Sequence, residues 1–209
     1  MNKWNWLLLV MLVGLGLSFY FDIIIVKSFE IIRNVFLDRF FLVITFISSE
    51  ILIFAFLTCL FFFGTKNKKN FEYINKKLIW KKKIILLWIT FLVTALVGFL
   101  LKIFIQRERP FQEGIISVNG FLASNSYTIW NFSFPSFQTM LMFSMIPILS
   151  KEFPKIKIYW IIFAVLVGIS RIYLGVHFLS DVIAGGIMGY LIGCGVLRMG
   201  RRNKFSLKP

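Results

Sequence analysis

Two ionisable side chains near the C-terminal end are spaced so that one could activate the other. His177 and Asp181 are four residues apart, so they share one face of a continuous helix and remain near neighbours across a helix junction. A carboxylate that accepts a hydrogen bond from one imidazole nitrogen fixes the tautomer and leaves the other nitrogen to act as a nucleophile or base. Because the chain has one histidine in 209 residues, this pair is the strongest candidate for covalent chemistry.

Several basic residues lie outside the lysine-rich connections and close to the ends of apolar segments. They are Lys102, Arg107, Arg109 and Arg171. Cations brought together repel one another unless an anion joins them, and phosphate is the multidentate anion best matched to guanidinium and ammonium groups. Phe134-Pro135-Ser136 opens another apolar segment, where a helix N-terminus presents backbone amides to an anion. Together these residues predict a phosphate site with an activated histidine.

The elements that must position these residues are apolar segments long enough to cross a membrane. The chain is 58% hydrophobic and 16% charged, which argues against an ordinary water-soluble core. About 20 apolar residues span a hydrocarbon core of roughly 30 Å as a helix. Such segments run over residues 6–25, 40–64, 84–105, 136–150, 158–176 and 181–197. We expect an all-α integral membrane protein, a six-transmembrane-helix bundle that forms a single membrane domain over residues 1–209.

The formal net charge of +15 is segregated from the apolar segments. Lysine and arginine cluster between the second and third segments, between the fourth and fifth, and in a basic tail over residues 198–209. By the positive-inside tendency these regions are cytoplasmic, so both termini lie inside and the site lies at the outer face of the cell (cytoplasmic) membrane. Segregated charge argues against nucleic-acid binding. One histidine and two cysteines argue against a zinc site, and we expect neither a metal nor a cofactor.

Three details of the segments give further expectations. The mixed apolar and charged pattern from Lys27 to Arg39 is typical of a short interfacial helix. Glu50 lies well inside the second segment, where it should hydrogen-bond to a neighbouring helix. The last segment has small residues that favour close packing against another helix: Gly185, Gly186, Gly189, Gly193 and Gly195.

Three short motifs carry a family resemblance. Lys102 to Arg109-Pro110 reads K-x6-R-P, and Ser170-Arg171 to His177 to Asp181 reads S-R-x5-H-x3-D, with Phe134-Pro135-Ser136 standing between them. Over about residues 84–197 the sequence resembles the type 2 phosphatidic acid phosphatase family, which is related to vanadium-dependent haloperoxidases. The resemblance implies a six-helix bundle and metal-independent hydrolysis of a lipid phosphate or diphosphate.

The resemblance also implies a role for each matching residue. By the family pattern His177 attacks phosphorus to give a phosphohistidine, and Asp181 orients the imidazole. The residues implied to hold the phosphoryl oxygens are Lys102, Arg109, Ser136, Phe137 through its backbone amide, and Arg171. Arg107 is a further candidate, and it could equally be a basic anchor at the end of its helix.

One position departs from the family pattern. The middle motif normally reads Pro-Ser-Gly-His and here reads Pro135-Ser136-Phe137-Gln138. Gln138 stands where the family places the histidine that protonates the leaving group, and a carboxamide cannot act as a general acid near neutral pH. Water, Glu108 or Glu113 could supply that proton instead.

The missing acid affects substrates differently. A lipid alkoxide is a poor leaving group that needs its proton, whereas a lipid monophosphate leaving from a diphosphate is far less basic. The sequence therefore favours an isoprenyl diphosphate as substrate, with phosphatidate second. Two alternatives stay open: a catalytically impaired pseudophosphatase that binds lipid phosphates, and a lipid phosphotransferase.

Overall fold

The computed structural model describes residues 3–63, 71–116 and 132–202, which are folded into helices with no strand among them. Seven α-helices lie within these ranges: α1 (Lys3–Ile31), α2 (Val35–Ile47), α3 (Glu50–Phe63), α4 (Phe71–Ile105), α5 (Phe137–Glu152), α6 (Lys157–Tyr173) and α7 (Leu179–Arg202). A 3-10 turn over Pro154–Ile156 joins α5 to α6. The prediction of an all-helical fold is confirmed for the part of the chain described.

Helix α5 is the centre of the bundle. It packs against α4, α6 and α7, and its side chains are buried on every face rather than along one stripe. A helix that is apolar all round belongs in such a central position. The N-terminus of α5 is therefore held at the point where its neighbours end.

Glycines on α7 let that helix approach α5 at backbone distance. A Cβ atom placed on Gly185 would lie 2.7 Å from the Ser136 carbonyl oxygen, and one placed on Gly189 or Gly193 would collide with a carbonyl oxygen of α5. The predicted close packing is confirmed at these three positions, which have no room for a side chain, but it is wrong for Gly195, where an added Cβ meets nothing within 4 Å.

This packing gives a matched pair of stability predictions. Gly189→Ala should lower the free energy of unfolding by about 3 kcal/mol or prevent folding, because overpacking forces two backbones apart. Gly195→Ala makes the same chemical change on the same helix, where an added Cβ meets nothing within 4 Å, and should leave stability unchanged or raise it by up to about 1 kcal/mol, because alanine is the better helix former. Thermal unfolding in detergent checks both variants, and equal melting temperatures would contradict this account of the α5–α7 contact.

Three helical stretches in the described ranges are long and apolar enough to cross a membrane: Trp80–Ile105, Pro154–Tyr173 and Leu179–Gly200. A fourth candidate is the pair Val35–Ile47 and Glu50–Cys59, whose axes are bent by 44°. Three to four spans are thus supported by length and composition, and the count of six stays a prediction.

The second predicted segment is broken rather than continuous. α2 ends at Ile47 and α3 begins at Glu50, and Ser48 caps the break because its N–H and its Oγ both donate to the Ile44 carbonyl, at 3.0 and 2.7 Å. Serine side chains that bond to the backbone in this way compete with continuation of a helix. Glu50 is therefore the first residue of α3. The apolar pattern of the sequence instead predicts a position well inside a continuous helix.

One other predicted boundary is wrong. The stretch from Lys27 to Arg39 is not a separate helix, because α1 runs on to Ile31 and α2 begins at Val35. Asn34 starts α2 as its N-cap, with Oδ1 accepting from the Leu37 N–H at 2.9 Å. The basic tail predicted from residue 198 begins inside α7, and residues 203–209 lie outside the described ranges.

Candidate active site

Two turns in the left-handed backbone region shape the site. Gln106, with φ of 49°, follows the last residue of α4, and its N–H donates to the Lys102 carbonyl at 3.1 Å, which closes the helix end. Gly175, with φ of 69°, turns the chain after α6, where a residue without a side chain is favoured. The loops that leave α4 and α6 are thereby directed towards each other.

Hydrogen bonds join these loops to the start of α5. Three of them cross between segments distant in sequence: Arg109 Nη1 to the Val176 carbonyl (3.2 Å), the Ser133 N–H to the Arg107 carbonyl (2.7 Å) and the Ser136 N–H to the Asp181 carbonyl (3.1 Å). The ends of α4 and α6 and the starts of α5 and α7 therefore meet at one place. The residues predicted from the sequence to do chemistry are on these ends.

His177 and Asp181 form a buried pair. His177 Nδ1 lies 3.6 Å from Asp181 Oδ2, and both side chains are shielded from solvent. The same carboxylate oxygen accepts from the Phe178 N–H at 2.8 Å and from the Ser133 hydroxyl. These donors hold Asp181 beside the imidazole, and Ser133 Oγ lies 3.5 Å from the same His177 Nδ1. At 3.6 Å the His177–Asp181 contact is longer than a hydrogen bond, as catalytic contacts often are before substrate binds.

Three basic side chains surround the pair. Lys102 is buried, and its Nζ donates to the Phe132 carbonyl. Arg171 Nη1 lies 3.4 Å from Thr45 Oγ1, while Arg171 Nε is buried with no hydrogen-bond partner among the described residues. Burial lowers the pKa of Arg109 to about 10, a value that stays far enough above neutrality to keep the charge. The site is thus a buried cluster of cations with unfilled donor capacity, which suits an anion.

Burial and the nearby cations change the pKa of the His177 imidazole. Burial and then the charges of Arg109, Arg171 and Lys102 hold the pKa of His177 well below its usual 6.5. A neutral imidazole has a lone pair on the nitrogen that faces away from Asp181, so the low pKa favours the nucleophilic form at neutral pH.

The pKa of His177 gives a prediction that needs no substrate. Nuclear magnetic resonance of the single histidine, labelled with ¹⁵N, should show a neutral ring at pH 6. Arg109→Gln should raise the pKa because one repelling charge is removed, whereas Arg198→Gln, an exposed change at the far end of α7, should leave it in place. A wild-type titration centred near 6.5, or equal shifts in both variants, would contradict the cation cluster.

The start of α5 is arranged as the sequence predicts, with one difference. Ser136 is the N-cap residue and is buried, but its Oγ lies 2.9 Å from Thr139 Oγ1 and makes no cap hydrogen bond to the backbone. Phe137 follows as the first helical residue. The hydroxyl of Ser136 thus belongs to a side-chain pair at the helix N-terminus, where the helix dipole favours an anion.

Gln138 is tied to the break between α2 and α3. Its Nε2 donates to the Thr45 carbonyl and to Ser48 Oγ, both at 2.6 Å. Thr45 Oγ1 also lies near Arg171 Nη1, so the C-terminal end of α2 links the residue at the general-acid position to one cation of the cluster. The carboxamide of Gln138 is engaged as a donor to protein groups.

Arg107, which the sequence leaves open between a phosphate ligand and a helix-end anchor, is bound to protein groups. Its guanidinium forms ion pairs with Asp22 at 2.7 Å and with Asp181 at 2.9 Å, and it covers the ring of Phe178 with 4.0 Å between Cζ and the ring centroid. The donors of this guanidinium are bound to protein carboxylates rather than directed towards a phosphate. The geometry therefore favours a structural role for Arg107 next to the site.

Sequence reasoning missed several polar residues that the fold brings to this place. They are Asp22, Thr45, Ser48, Ser133 and Ser180. Asp22 carried a signal, because a carboxylate within an apolar helix is costly unless it has a partner. Serine and threonine at the ends of apolar segments gave no comparable signal.

The structure bears on two questions that the sequence leaves open, which are the presence of a metal site and the source of the leaving-group proton. Among the described residues there is no group of three or more His, Cys, Asp or Glu side chains placed to hold a metal ion, and independence from metal stays a prediction. Partial burial raises the pKa of Glu113 against the opposing charge of Arg107, so this carboxyl stays a candidate proton source.

The apolar helices define a multi-pass membrane protein, and comparison with known families identifies the class. The model of the PAP2 superfamily matches residues 82–205, which is more than half of the chain. The chain belongs to the PAP2 superfamily. The matched region contains α5, α6, α7 and the end of α4, and it excludes α1, α2 and α3.

Two curated relatives are similar over part of their length. Phosphatidylglycerophosphatase B of Bacillus subtilis (strain 168) is 33% identical over 119 residues, which cover 52% of this chain and 53% of that protein. The bacitracin transport permease protein BcrC of Bacillus licheniformis is 44% identical over 59 residues, 28% of this chain and 29% of that protein. This chain thus spans about half the length of the first and less of the second.

Two solved structures are similar over most of the chain. One is a transmembrane PAP2 type phosphatidylglycerolphosphate phosphatase from Bacillus subtilis, with a TM-score of 0.67, 25% identity and 98% of each chain covered. The other is Aquifex aeolicus LpxE, with a TM-score of 0.62, 26% identity, and 85% of this chain and 94% of that chain covered. The fold outside the family-model match is therefore shared as well.

Proposed function

We propose that this protein hydrolyses a lipid phosphate or diphosphate through a phosphohistidine intermediate. The observation that carries the proposal is the buried His177–Asp181 pair with Lys102, Arg109 and Arg171 around it. A neutral imidazole has a lone pair for attack, and the surrounding cations reduce the repulsion between that lone pair and the anionic phosphoryl oxygens. The similar curated protein and the similar solved structure from Bacillus subtilis are both phosphatases of phosphatidylglycerophosphate, which supports this reaction class.

The first step transfers the phosphoryl group to the protein. His177 Nε2 attacks phosphorus, the terminal one in a diphosphate, and a P–N bond forms. The P–O bond to the leaving group breaks, so a diphosphate releases a lipid monophosphate, and a monoester releases an alcohol once its oxygen gains a proton. Lys102, Arg109 and Arg171 take the equatorial oxygens, and Arg171 Nε gains the partner that it lacks among the described residues. Ser136 and the backbone amide of Phe137 add donors at the N-terminus of α5. Asp181 stabilises the positive charge that develops on the imidazole.

The second step releases phosphate. A water molecule attacks the same phosphorus atom, the P–N bond breaks, and the electron pair returns to His177. One proton from water goes to the phosphate or to bulk solvent, and the second remains on the released phosphate. The cations that oriented the first transfer stabilise the second one in the same way.

Gln138 determines the substrate that we favour. Its amide donates to Thr45 and Ser48 and cannot deliver a proton to an alkoxide at neutral pH. A lipid monophosphate leaves with its charge compensated by the cations alone, so we place a long isoprenyl diphosphate first. A lipid phosphomonoester is the second candidate, favoured by the phosphatidylglycerophosphate in the relatives' names; phosphatidate belongs to the same chemical class.

The proposed orientation puts this chemistry on the outer face of the cytoplasmic membrane, in a bundle of six spans with both termini inside. Its support is the separation of charge along the helices. The apolar stretch Trp80–Ile105 of α4 has Lys81, Lys82 and Lys83 at its start and Lys102 near its end. The positive-inside tendency assigns the lysine cluster to the cytoplasm.

Phosphate release from a lipid panel tests the proposal. Purified protein in detergent–lipid micelles should release phosphate from a long isoprenyl diphosphate about 10²-fold faster than from phosphatidate or phosphatidylglycerophosphate, the size of effect expected for a missing general acid. Equal or faster release from the monoesters would overturn the diphosphate preference. No release from any lipid, with phosphate still bound, would show a pseudophosphatase.

A further inference from the structure

We infer that Asp22 of α1 is a positioning residue for the His177–Asp181 pair, acting through Arg107 and through the N-terminus of α7. The inference deepens the proposed function and rests on it. Asp22 precedes in sequence all of the residues matched to the PAP2 superfamily, which begin at residue 82. The N-terminal helix would therefore be part of the active site as well as a membrane anchor.

Asp22 makes close contacts with the start of α7. Its Oδ1 accepts from the Ser180 N–H at 2.8 Å, and its Oδ2 accepts from Ser180 Oγ at 2.5 Å. The first amides of a helix have no partner within the helix, and a carboxylate beside them is stabilised by the helix dipole. Asp22, which is 2% exposed, thus fixes the first turn of the helix that carries Asp181.

Arg107 connects the two carboxylates. Nη2 binds Asp22 Oδ2 at 2.7 Å, while Nη1 binds Asp181 Oδ1 at 2.9 Å and Ser180 Oγ at 2.6 Å. The planar fork presents donors in fixed directions, and Phe178 and Phe19 cover the guanidinium from Cζ distances of 4.0 and 5.3 Å. The direction of one carboxylate therefore constrains the direction of the other.

The two oxygens of Asp181 have different partners, and Oδ2, which also accepts from the Phe178 N–H and the Ser133 hydroxyl, is the one that faces the imidazole. Arg107 occupies Oδ1, and Oδ2 is the oxygen that lies 3.6 Å from His177 Nδ1. If Asp22 loses its charge, Arg107 is held by one carboxylate only and can turn with it. Asp181 Oδ2 still accepts from the Phe178 N–H and the Ser133 hydroxyl, but the Oδ1 side of the carboxylate is no longer held in one direction, and the proton of His177 is less firmly fixed on Nδ1.

The activity test compares Asp22→Asn with a matched control. Asp22→Asn keeps the side-chain shape and should lower kcat about 10-fold with KM within about 2-fold, since outer partners of catalytic groups have effects of this size. Ser18→Ala removes another buried polar group of α1, one turn away, whose hydroxyl bonds to the Leu15 carbonyl, and should change neither constant. In an Asp181→Asn background, Asp22→Asn should have no further effect, because both act through one group.

A spectroscopic test is independent of turnover. The single histidine, labelled with ¹⁵N in protein purified without a histidine tag, should be the Nδ1–H tautomer at pH 7. Asp22→Asn should give a mixture of tautomers and Ser18→Ala the wild-type spectrum. If Asp22→Asn does not fold, Arg107→Lys, which keeps the charge but not the fork, should give the same mixture.

The outcomes separate this inference from the proposed function. An unchanged tautomer and unchanged kcat in folded Asp22→Asn would overturn the inference, as would fully additive losses with Asp181→Asn. Wild-type protein that releases no phosphate would overturn the proposed function, and the tautomer comparison would still decide the role of Asp22.

Discussion

His177→Ala should abolish phosphate release from every lipid tested, by at least about 10⁴-fold. The imidazole is the group that forms the covalent bond, and removal of a nucleophile takes away the whole double-displacement path, leaving only binding and charge stabilisation. The chain has no other histidine that could replace it. Initial rates of phosphate release at saturating substrate measure the loss.

Binding separates a chemical defect from a folding defect in this variant. Lys102, Arg109 and Arg171 remain, so His177→Ala should bind inorganic phosphate with an affinity within about 10-fold of wild type, measured by calorimetry in detergent. A variant that keeps more than about a tenth of the wild-type rate would show that His177 is not the nucleophile.

Gln138→His should raise phosphatidate hydrolysis by about 10²-fold and change isoprenyl diphosphate hydrolysis by no more than about 3-fold. General acid catalysis contributes about 10²–10⁴-fold where a poor leaving group needs a proton. Gln138 is 8% exposed and bonded to Thr45 and Ser48, so an imidazole there would be placed by the same neighbours. The ratio of the two rates, measured on one preparation, reports the change.

The control for this prediction is Gln138→Met, which has similar volume but neither an acidic proton nor an amide. Methionine cannot make the two hydrogen bonds that Gln138 donates to the end of α2, and it should leave phosphatidate hydrolysis low. If methionine raises the phosphatidate rate as much as histidine does, loosening of the α2–α3 break is responsible. If neither raises it, the proton comes from another group, and Glu113→Gln would then be expected to slow the reaction.

The residues that cluster at the site could be predicted because their spacing lies within single helices and short turns. Four residues from His177 to Asp181 cover little more than one helical turn, and Lys102 and Arg109 straddle one helix end. Regular geometry fixes such separations without knowledge of the rest of the fold. The existence of the site was therefore accessible from the sequence, as was the close packing of α7.

The residues that could not be predicted depend on contacts between distant helices. Asp22 and Thr45 reach the site only because α1 and α2 pack against α7 and α6, and no local pattern encodes that arrangement. The role of Arg107 was open for the same reason, since the left-handed turn at Gln106 determines which basic residue faces Asp22. The break after Ile47 could not be predicted, because the sequence is hydrophobic on both sides of it and hydrophobicity does not show that a serine ends a helix.

The central claim is that His177 becomes phosphorylated during turnover. Rapid mixing with a ³²P-labelled isoprenyl diphosphate, followed by quenching in base, preserves a phosphohistidine, and mass spectrometry of the peptide locates the label. We predict label on His177 that forms faster than phosphate is released and that is absent from His177→Ala. Phosphate release by wild-type protein with label on another residue, or turnover that persists in His177→Ala without label, would contradict the account.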